Sequence, residues 1–254
     1  METIGILAAM PQERDAVLRF IKKPERTILG PFRCDRFRLA ERDCWLVMSG
    51  MGVKRAGEAA GILIKAVIPQ FLVSVGVAGA VNPDLEIGDV VVSRATCRLE
   101  EGRPGPFQPL ALLSDAAWHA AEQTLQKRGA RLFSGIAVTT PGSQLVQYQP
   151  AEMVNPVLEM ETAGIAQVAI EQGIPLLSLR AISDGPRAPI PFDLETMIDK
   201  DYNLHTGRLI KTFLSHPQML SQLMRMGQNT TKAATNASIA LIAALNQAGA
   251  IIFS

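Results

Sequence analysis

The amino-acid sequence predicts an α/β protein built on a central, largely parallel mixed sheet. Three observations carry this. Apolar runs of strand length recur at Thr3 to Ala9, Phe71 to Val77, Leu132 to Val138 and Leu176 to Ile182. Segments with helical spacing lie between them, and strands alternating with helices are the pattern of a parallel sheet. The run Phe71 to Val77 is continuously apolar, as expected for a strand covered on both faces.

Taken in order, Thr3 to Ala9 is a first strand that ends in a polar segment. Gln12 to Ile21 places Val17, Leu18, Phe20 and Ile21 on a helical period. A charged hairpin region follows, with Pro31, Phe32 to Leu39 and Cys44 to Met48. Ser49-Gly50-Met51-Gly52 breaks the strand pattern and opens a helix over Val53 to Val67. That helix is rich in Ala and Gly, so another element packs closely on it, and Pro69 ends it. Ala78-Gly79-Ala80 interrupts the next strand. Leu85 to Asp89 is a turn into Val90 to Ser93, and Glu100 to Pro109 is a loop. Ser114 caps a helix that runs to Arg128, with Gly129 just past its end. Leu132 to Val138 is a strand and Thr139 to Tyr148 a polar loop. Glu161 to Gln172 is a helix closed by Gly173. Pro175 introduces the strand Leu176 to Ile182, which Asp184-Gly185-Pro186 stops. A proline-rich loop reaches Pro191 and helices fill the remainder. No repeat and no linker divides the chain, so residues 1–254 read as one domain with a helical C-terminal extension from about residue 203.

Composition narrows the function classes. The 254 residues hold 25 Lys plus Arg against 24 Asp plus Glu, and 48% are apolar. This excludes intrinsic disorder, which needs low hydrophobicity and high net charge. It also argues against nucleic-acid binding, which needs a basic face. Cys34, Cys44 and Cys97 lack CxxC spacing, and His119, His205 and His216 are scattered, so neither a disulfide framework nor a metal site is expected. Reduced cysteines and the absence of a secretory pattern fit a cytoplasmic protein. After Lys232 no charge occurs. Ile239, Leu241, Ile242 and Leu245, then Ile251 to Phe253, suit a packed helix better than a membrane-surface or partner-binding element, because Asn246, Gln247 and Gly249 interrupt the apolar face.

Ligands of open α/β sheets bind at the carboxyl ends of the strands. Four such ends carry unusual residues: Met10 to Glu13, Gly76 to Ala80, Met160-Glu161 and Ser183-Asp184. Glu13, Glu161 and Asp184 could converge above one sheet. Singly, Glu13 and Glu161 also read as first-turn acids that suit a helix dipole, and Asp184 as a turn residue. The glycine-containing run has neither a GxGxxG pattern nor a Walker lysine.

These segments together resemble a known family. Val75-Gly76-Val77-Ala78-Gly79-Ala80, followed by Leu85-Glu86-Ile87-Gly88-Asp89-Val90-Val91, is similar to the signature of the purine nucleoside phosphorylase and nucleosidase superfamily. Leu158 to Ala166 resembles its ribose-binding segment, and Leu179 to Asp184 its catalytic strand end. Ile4 to Met10 with Glu13 resembles the methylthioadenosine/S-adenosylhomocysteine nucleosidase branch, which Ser49 to Gly52 also fits. The resemblance implies one α/β/α domain and no cofactor. It implies that Asp184 protonates the purine, Glu161 binds the ribose hydroxyls and Met160 packs on the sugar. Glu13 would activate water, Ala78 and Gly79 line the pocket, and Arg180 and Ser183 support the carboxylates.

The same resemblance bears on the nucleophile. A phosphate nucleophile needs cationic or amide donors. The phosphorylase branch supplies a glycine-rich N-terminal loop with a following arginine, where the loop of this chain carries the acid Glu13, and an arginine and a serine where this chain has Ser74 and Val77. Arg14 would point away on its helix. Water is therefore the expected nucleophile and phosphorolysis the alternative; a nucleoside-binding module is the non-enzymatic one. Val77 stands where nucleosidases usually have serine. No base-stacking phenylalanine follows Val138, and Tyr148 and Phe192 are the substitutes available. The proline-rich segment and long tail resemble the hopanoid-associated branch that processes adenosylhopane, with futalosine hydrolase another relative. The expected partners are a small nucleoside and further copies of the chain, as a dimer or hexamer.

Overall fold

The structure, a computed structural model, describes residues 2–100, 103–140, 153–187 and 219–252. In chain order its elements are β1 (Glu2–Ala8), α1 (Pro11–Leu18), β2 (Glu25–Leu29), β3 (Phe32–Leu39), β4 (Arg42–Met48), α2 (Val53–Val67) and β5 (Phe71–Ala80). Then come β6 (Val90–Glu100), the short β7 (Arg103–Pro104), β8 (Gln108–Pro109) and β9 (Leu112–Leu113), and α3 (Asp115–Gln126). β10 (Leu132–Thr139), β11 (Pro156–Glu159), α4 (Thr162–Glu171), β12 (Leu176–Asp184), α5 (Met219–Leu245) and β13 (Ile251–Ile252) complete the described chain.

The main sheet has the order β11-β10-β6-β12-β5-β1-β4-β3-β2. β4, β1, β5 and β12 form a parallel centre. β12 pairs antiparallel with β6. β11 runs parallel to β10 but also pairs antiparallel with β5, Val157 opposite Ala80 and Leu158 opposite Gly79. This half of the sheet therefore curls back on itself, and β11 carries the chain from the tip of β5 back toward its middle.

The period of two along the strands sorts side chains into two layers. Ile4, Ile6, Val73, Val75, Leu177 and Leu179 join one core with Val17 of α1, Ala117 and Leu125 of α3, and Ala237, Leu241 and Leu245 of α5. Leu7, Leu72 and Leu176 face the other way, into a core with Leu63 of α2 and Ile165 of α4. The glycine-rich character of α2 has the expected cause: a Cβ on Gly57 would stand 3.0 Å from the carbonyl oxygen of Gly164, so α2 and α4 touch backbone to backbone. Ser114 caps α3 by accepting from the amide of Ala117 at 3.3 Å.

Several boundaries differ from the sequence reading. β5 continues through Ala78-Gly79-Ala80 because β11 and β12 pair with it there. α1 ends at Leu18, short of Ile21. The loop of residues 103–109 contains two strand pairings with β6. Ile251 and Ile252 form β13, antiparallel to β9, where a helix-rich tail was expected. α5 supplies core residues to the sheet, and Arg42 donates hydrogen bonds to the carbonyls of Leu245 and Gln247 beyond its end. Among the described residues no helix is long and apolar enough to cross a membrane. The cysteines are free and buried, and burial pushes their thiols up, to about 12 for Cys34 and Cys44 and about 11 for Cys97. Tyr148 and Phe192, named as base-stacking substitutes, lie outside the described residues.

Candidate active site

Glu13 sits in the first turn of α1, immediately after β1. Its Oε2 accepts from the amides of Ala9 and Met10 at 2.8 and 2.9 Å, and its Oε1 from the amide of Val77 at 2.9 Å. The carboxylate thus bridges β1 and β5. It lies so close to β5 that a Cβ on Gly76 would stand 2.4 Å from Oε1. Glycine at position 76 is the condition for that approach. Burial raises the affinity of Glu13 for a proton, and the nearby Arg180 and the three amides oppose it.

Glu161 occupies the N-cap position of α4 and turns toward the loop after β4. Its Oε1 accepts from the amide of Gly52 at 2.9 Å. Gly52 makes this bond from φ +97°, a conformation that favours glycine. Burial pushes the Glu161 carboxyl up to about 8, with the charges of Glu159 and Glu13 adding and Arg180 and the Gly52 amide opposing. Glu13, Glu161 and Arg180 line one small crevice together with Leu7, Ala9, Ser49, Ser74, Val75 and Ile165.

Arg180, in the middle of β12, is 2% exposed. Its Nη2 lies 2.9 Å from Glu159 Oε2, 2.7 Å from Ser74 Oγ and 3.0 Å from Thr162 Oγ1. It was expected to support the candidate carboxylates, yet its ion pair is with Glu159, a residue not singled out in the sequence. Glu159 Oε2 also accepts from the amides of Glu161 and Thr162 at 3.0 and 2.7 Å and from the Thr162 hydroxyl at 2.7 Å. Its Oε1 accepts from the hydroxyl of Thr139. Burial works against charge on Glu159, but Arg180 and the threonine donors outweigh it and hold the carboxyl below the ordinary range. The signal was present in the sequence: an arginine inside the apolar run Leu176 to Ile182 must find a buried acid.

Asp184 ends β12. A register shift between Ile182 and Asp184 sets it opposite Gly79. Such a bulge re-aims a side chain. Asp184 Oδ1 accepts from the Ser183 hydroxyl at 2.7 Å, and a Cβ on Gly79 would stand 2.7 Å from Oδ2. Burial raises its proton affinity and the Ser183 hydroxyl opposes this. Gly76 and Gly79, against which the two carboxylates rest, are three residues apart on β5, about 10 Å at the usual rise. Ala78 is buried beside the Ser183 hydroxyl, which lies 3.4 Å from the Ala78 carbonyl. Met160 is half-buried between Glu159 and Glu161. Asp184, Met160, Ala78 and Gly79 lie outside the lining of the inner crevice.

Arg14 is committed elsewhere. Its Nε and Nη2 hold Asp35 at 2.6 and 2.8 Å, and its Nη1 holds Asp15 at 2.7 Å. Arg180 is the only cation among the described residues lining the crevice, and its charge is met by Glu159. Among the described residues no group of His, Cys, Asp and Glu is arranged to hold a metal ion.

The family model of the phosphorylase superfamily matches residues 3–215. Over 210 residues the chain is 30% identical to the 5′-methylthioadenosine/S-adenosylhomocysteine nucleosidase of Tolumonas auensis, covering 75% of this chain and 90% of that protein. The structure is similar to the 5′-methylthioadenosine/S-adenosylhomocysteine nucleosidase of Neisseria meningitidis, solved with methylthio-immucillin-A. The TM-score is 0.67 at 18% identity, over 97% of this chain and 99% of that one. The futalosine hydrolase of Helicobacter pylori is similar with a TM-score of 0.65 at 18% identity, over 95% of this chain and 96% of that one. Both structural likenesses are likenesses of fold.

Proposed function

We propose, for a chain that belongs to the phosphorylase superfamily, a nucleosidase activity: hydrolysis of the N-glycosidic bond of an adenine-bearing nucleoside of the 5′-methylthioadenosine/S-adenosylhomocysteine type. The observation that carries this reading is the pair of carboxylates seated on Gly76 and Gly79, with Glu161 facing the first of them across the crevice.

A C–N glycosidic bond breaks through an oxocarbenium-like sugar, and adenine departs well only when protonated. Asp184, whose burial favours the protonated acid, donates that proton to the base. Glu161 accepts hydrogen bonds from the ribose hydroxyls. Such bonds strengthen as the sugar becomes cationic, so their stabilisation grows toward the transition state. Glu13, fixed by three amides, holds water in the crevice and takes its proton as the water oxygen bonds to the anomeric carbon. Its raised proton affinity makes it a better base than an ordinary carboxylate.

Water is favoured over phosphate by charge. A phosphate dianion in this crevice would face Glu13 and Glu161, with Arg180 already paired and Arg14 turned to Asp35. The deciding assay measures adenine release from 5′-methylthioadenosine and S-adenosylhomocysteine with and without phosphate. Release independent of phosphate is expected. Strict dependence on phosphate with formation of a sugar 1-phosphate would overturn hydrolysis in favour of phosphorolysis.

A further inference from the structure

β12 loses its sheet neighbour just before the acid. Its pairing with β6 ends where Ala181 meets Val90, the first residue of β6. Beyond this point the loop before β6 continues the ladder. The amide of Gly88 donates to the carbonyl of Ile182 at 2.8 Å, and the amide of Ile182 donates to the carbonyl of Asp89 at 2.9 Å. These are the last bonds on that edge before the bulge that aims Asp184. The loop is held in turn from two sides. Arg131 grips the Asp89 carboxylate through its backbone amide at 2.9 Å and its guanidinium. On the other side stands Asn236 of α5, 1% exposed. Its Nδ2 donates to the carbonyl of Gly88 at 2.8 Å, and its Oδ1 accepts from Arg128 Nε at 2.9 Å. Gly88 sits at φ +96°, and a Cβ there would stand 2.9 Å from Asn236 Nδ2. Both polar ends of a buried amide are thus spent on one peptide group and the arginine that orients it.

We infer that Asn236 is a positioning residue for the proton-donating Asp184, acting through Gly88 and Ile182. The inference rests on the nucleosidase reading, in which Asp184 protonates the base. The geometry supports it because the bonds to Gly88 and Asp89 are the last backbone hydrogen bonds on this edge before Asp184 among the described residues, and Asn236 holds Gly88 directly. A side chain of the last helix, 52 positions after the acid, therefore sets where the acid stands. Displacement of a reacting group by about 1 Å can cost on the order of 100-fold in rate.

The test compares Asn236→Ala with the parent in the full-length protein, on two substrates and in two backgrounds. With 5′-methylthioadenosine, kcat should fall about tenfold while KM stays within about twofold, because the loss falls on the transition state. With p-nitrophenyl riboside, whose leaving group departs without a proton, turnover should be unchanged. In an Asp184→Asn background the substitution should cost nothing further, since coupled residues are not additive. Equal losses on both substrates, or equal losses in both backgrounds, would show a structural role only and overturn the inference. Should Asn236→Ala not fold, Arg128→Met removes the partner that orients Asn236 from an exposed position, and the same pattern is expected at about threefold. An active parent with both variants indifferent overturns this inference alone. A parent that releases no adenine overturns the nucleosidase reading as well.

Discussion

Behind Arg180, Glu159 takes donors from Thr139, Glu161, Thr162 and Arg180, whereas at the end of β12 Asp184 has, among the described residues, the hydroxyl of Ser183. Both carboxylates are substantially removed from water. Donors and a cation hold the first ionised against the cost of burial, while burial, opposed among the described residues by the Ser183 hydroxyl, inclines the second to keep its proton. One rule, applied with different numbers of described partners, thus favours a fixed anion at the end of β11 and a protonated acid at the end of β12. Glu161 stands between them, with one described donor from Gly52 and two like charges nearby.

The difference is broken most forcefully by substitutions at each end. Arg180→Met should leave Glu159 charged and buried without its cation. That costs about 3–5 kcal/mol in folding stability, or roughly 6–20 °C in Tm for a chain of this size. Adding Glu159→Gln should recover part of the loss, read by thermal denaturation. A double variant no more stable than Arg180→Met would remove the uncompensated charge as the cause. Asp184→Asn should do the reverse, leaving Tm nearly unchanged while turnover falls about 100-fold or more. Near-parental turnover of that variant would end its assignment as the acid.

How far the sequence disclosed this contrast depends on the range of the interactions involved. The apolar runs of β1, β5, β10 and β12, the Ser114 cap and the glycine-rich face of α2 are local signals, and each matches the structure. The C-terminal end of β5 and the strand at Ile251 differ from the sequence reading because their pairing partners lie far away in the chain. Ala78 to Ala80 has poor intrinsic strand character and is extended only because β11 and β12 flank it. Asp184 was legible because the turn that follows it and the family resemblance coincide there. Glu159 was overlooked for the opposite reason. Its donors come from Thr139, Thr162 and Arg180, which converge only when β10, β11 and β12 are assembled. Asn236 carried no local signal at all, since an amide within a helix announces itself only by the carbonyl it meets.

Glu161 offers a finer test because it lies between the two extremes. Its folded-state proton affinity is raised from the ordinary 4.5 to about 8. Between those values the folded protein keeps a proton that the unfolded chain releases, so stability falls as pH rises through this window. The cost is absent below the unfolded value and complete above the folded one. Glu161→Gln retains the acceptor for the Gly52 amide without the charge. Its Tm relative to the parent should therefore rise from pH 5 to pH 8, while catalysis suffers at both. A Tm difference independent of pH would mean that Glu161 is not held protonated.

The smallest expected effect concerns Ser183, the described partner of Asp184. The Ser183 hydroxyl donates to Asp184 and so favours its ionised form. Ser183→Ala removes that donor and adds no charge, and Asp184 should then hold its proton to higher pH. If Asp184 is the general acid, activity depends on that proton, and the descending limb of kcat against pH should move upward. A hydrogen bond of about 0.5–1.5 kcal/mol corresponds to at most about one pH unit. Below that limb the parent acid is already protonated, so the plateau should change little. A plateau loss without a shift would assign Ser183 to holding the bulge, through its contact with the Ala78 carbonyl, and a downward shift would mean that the hydroxyl supports the protonated acid instead. An upward shift alone would show that the Ser183 hydroxyl tunes Asp184, against the several donors that fix Glu159.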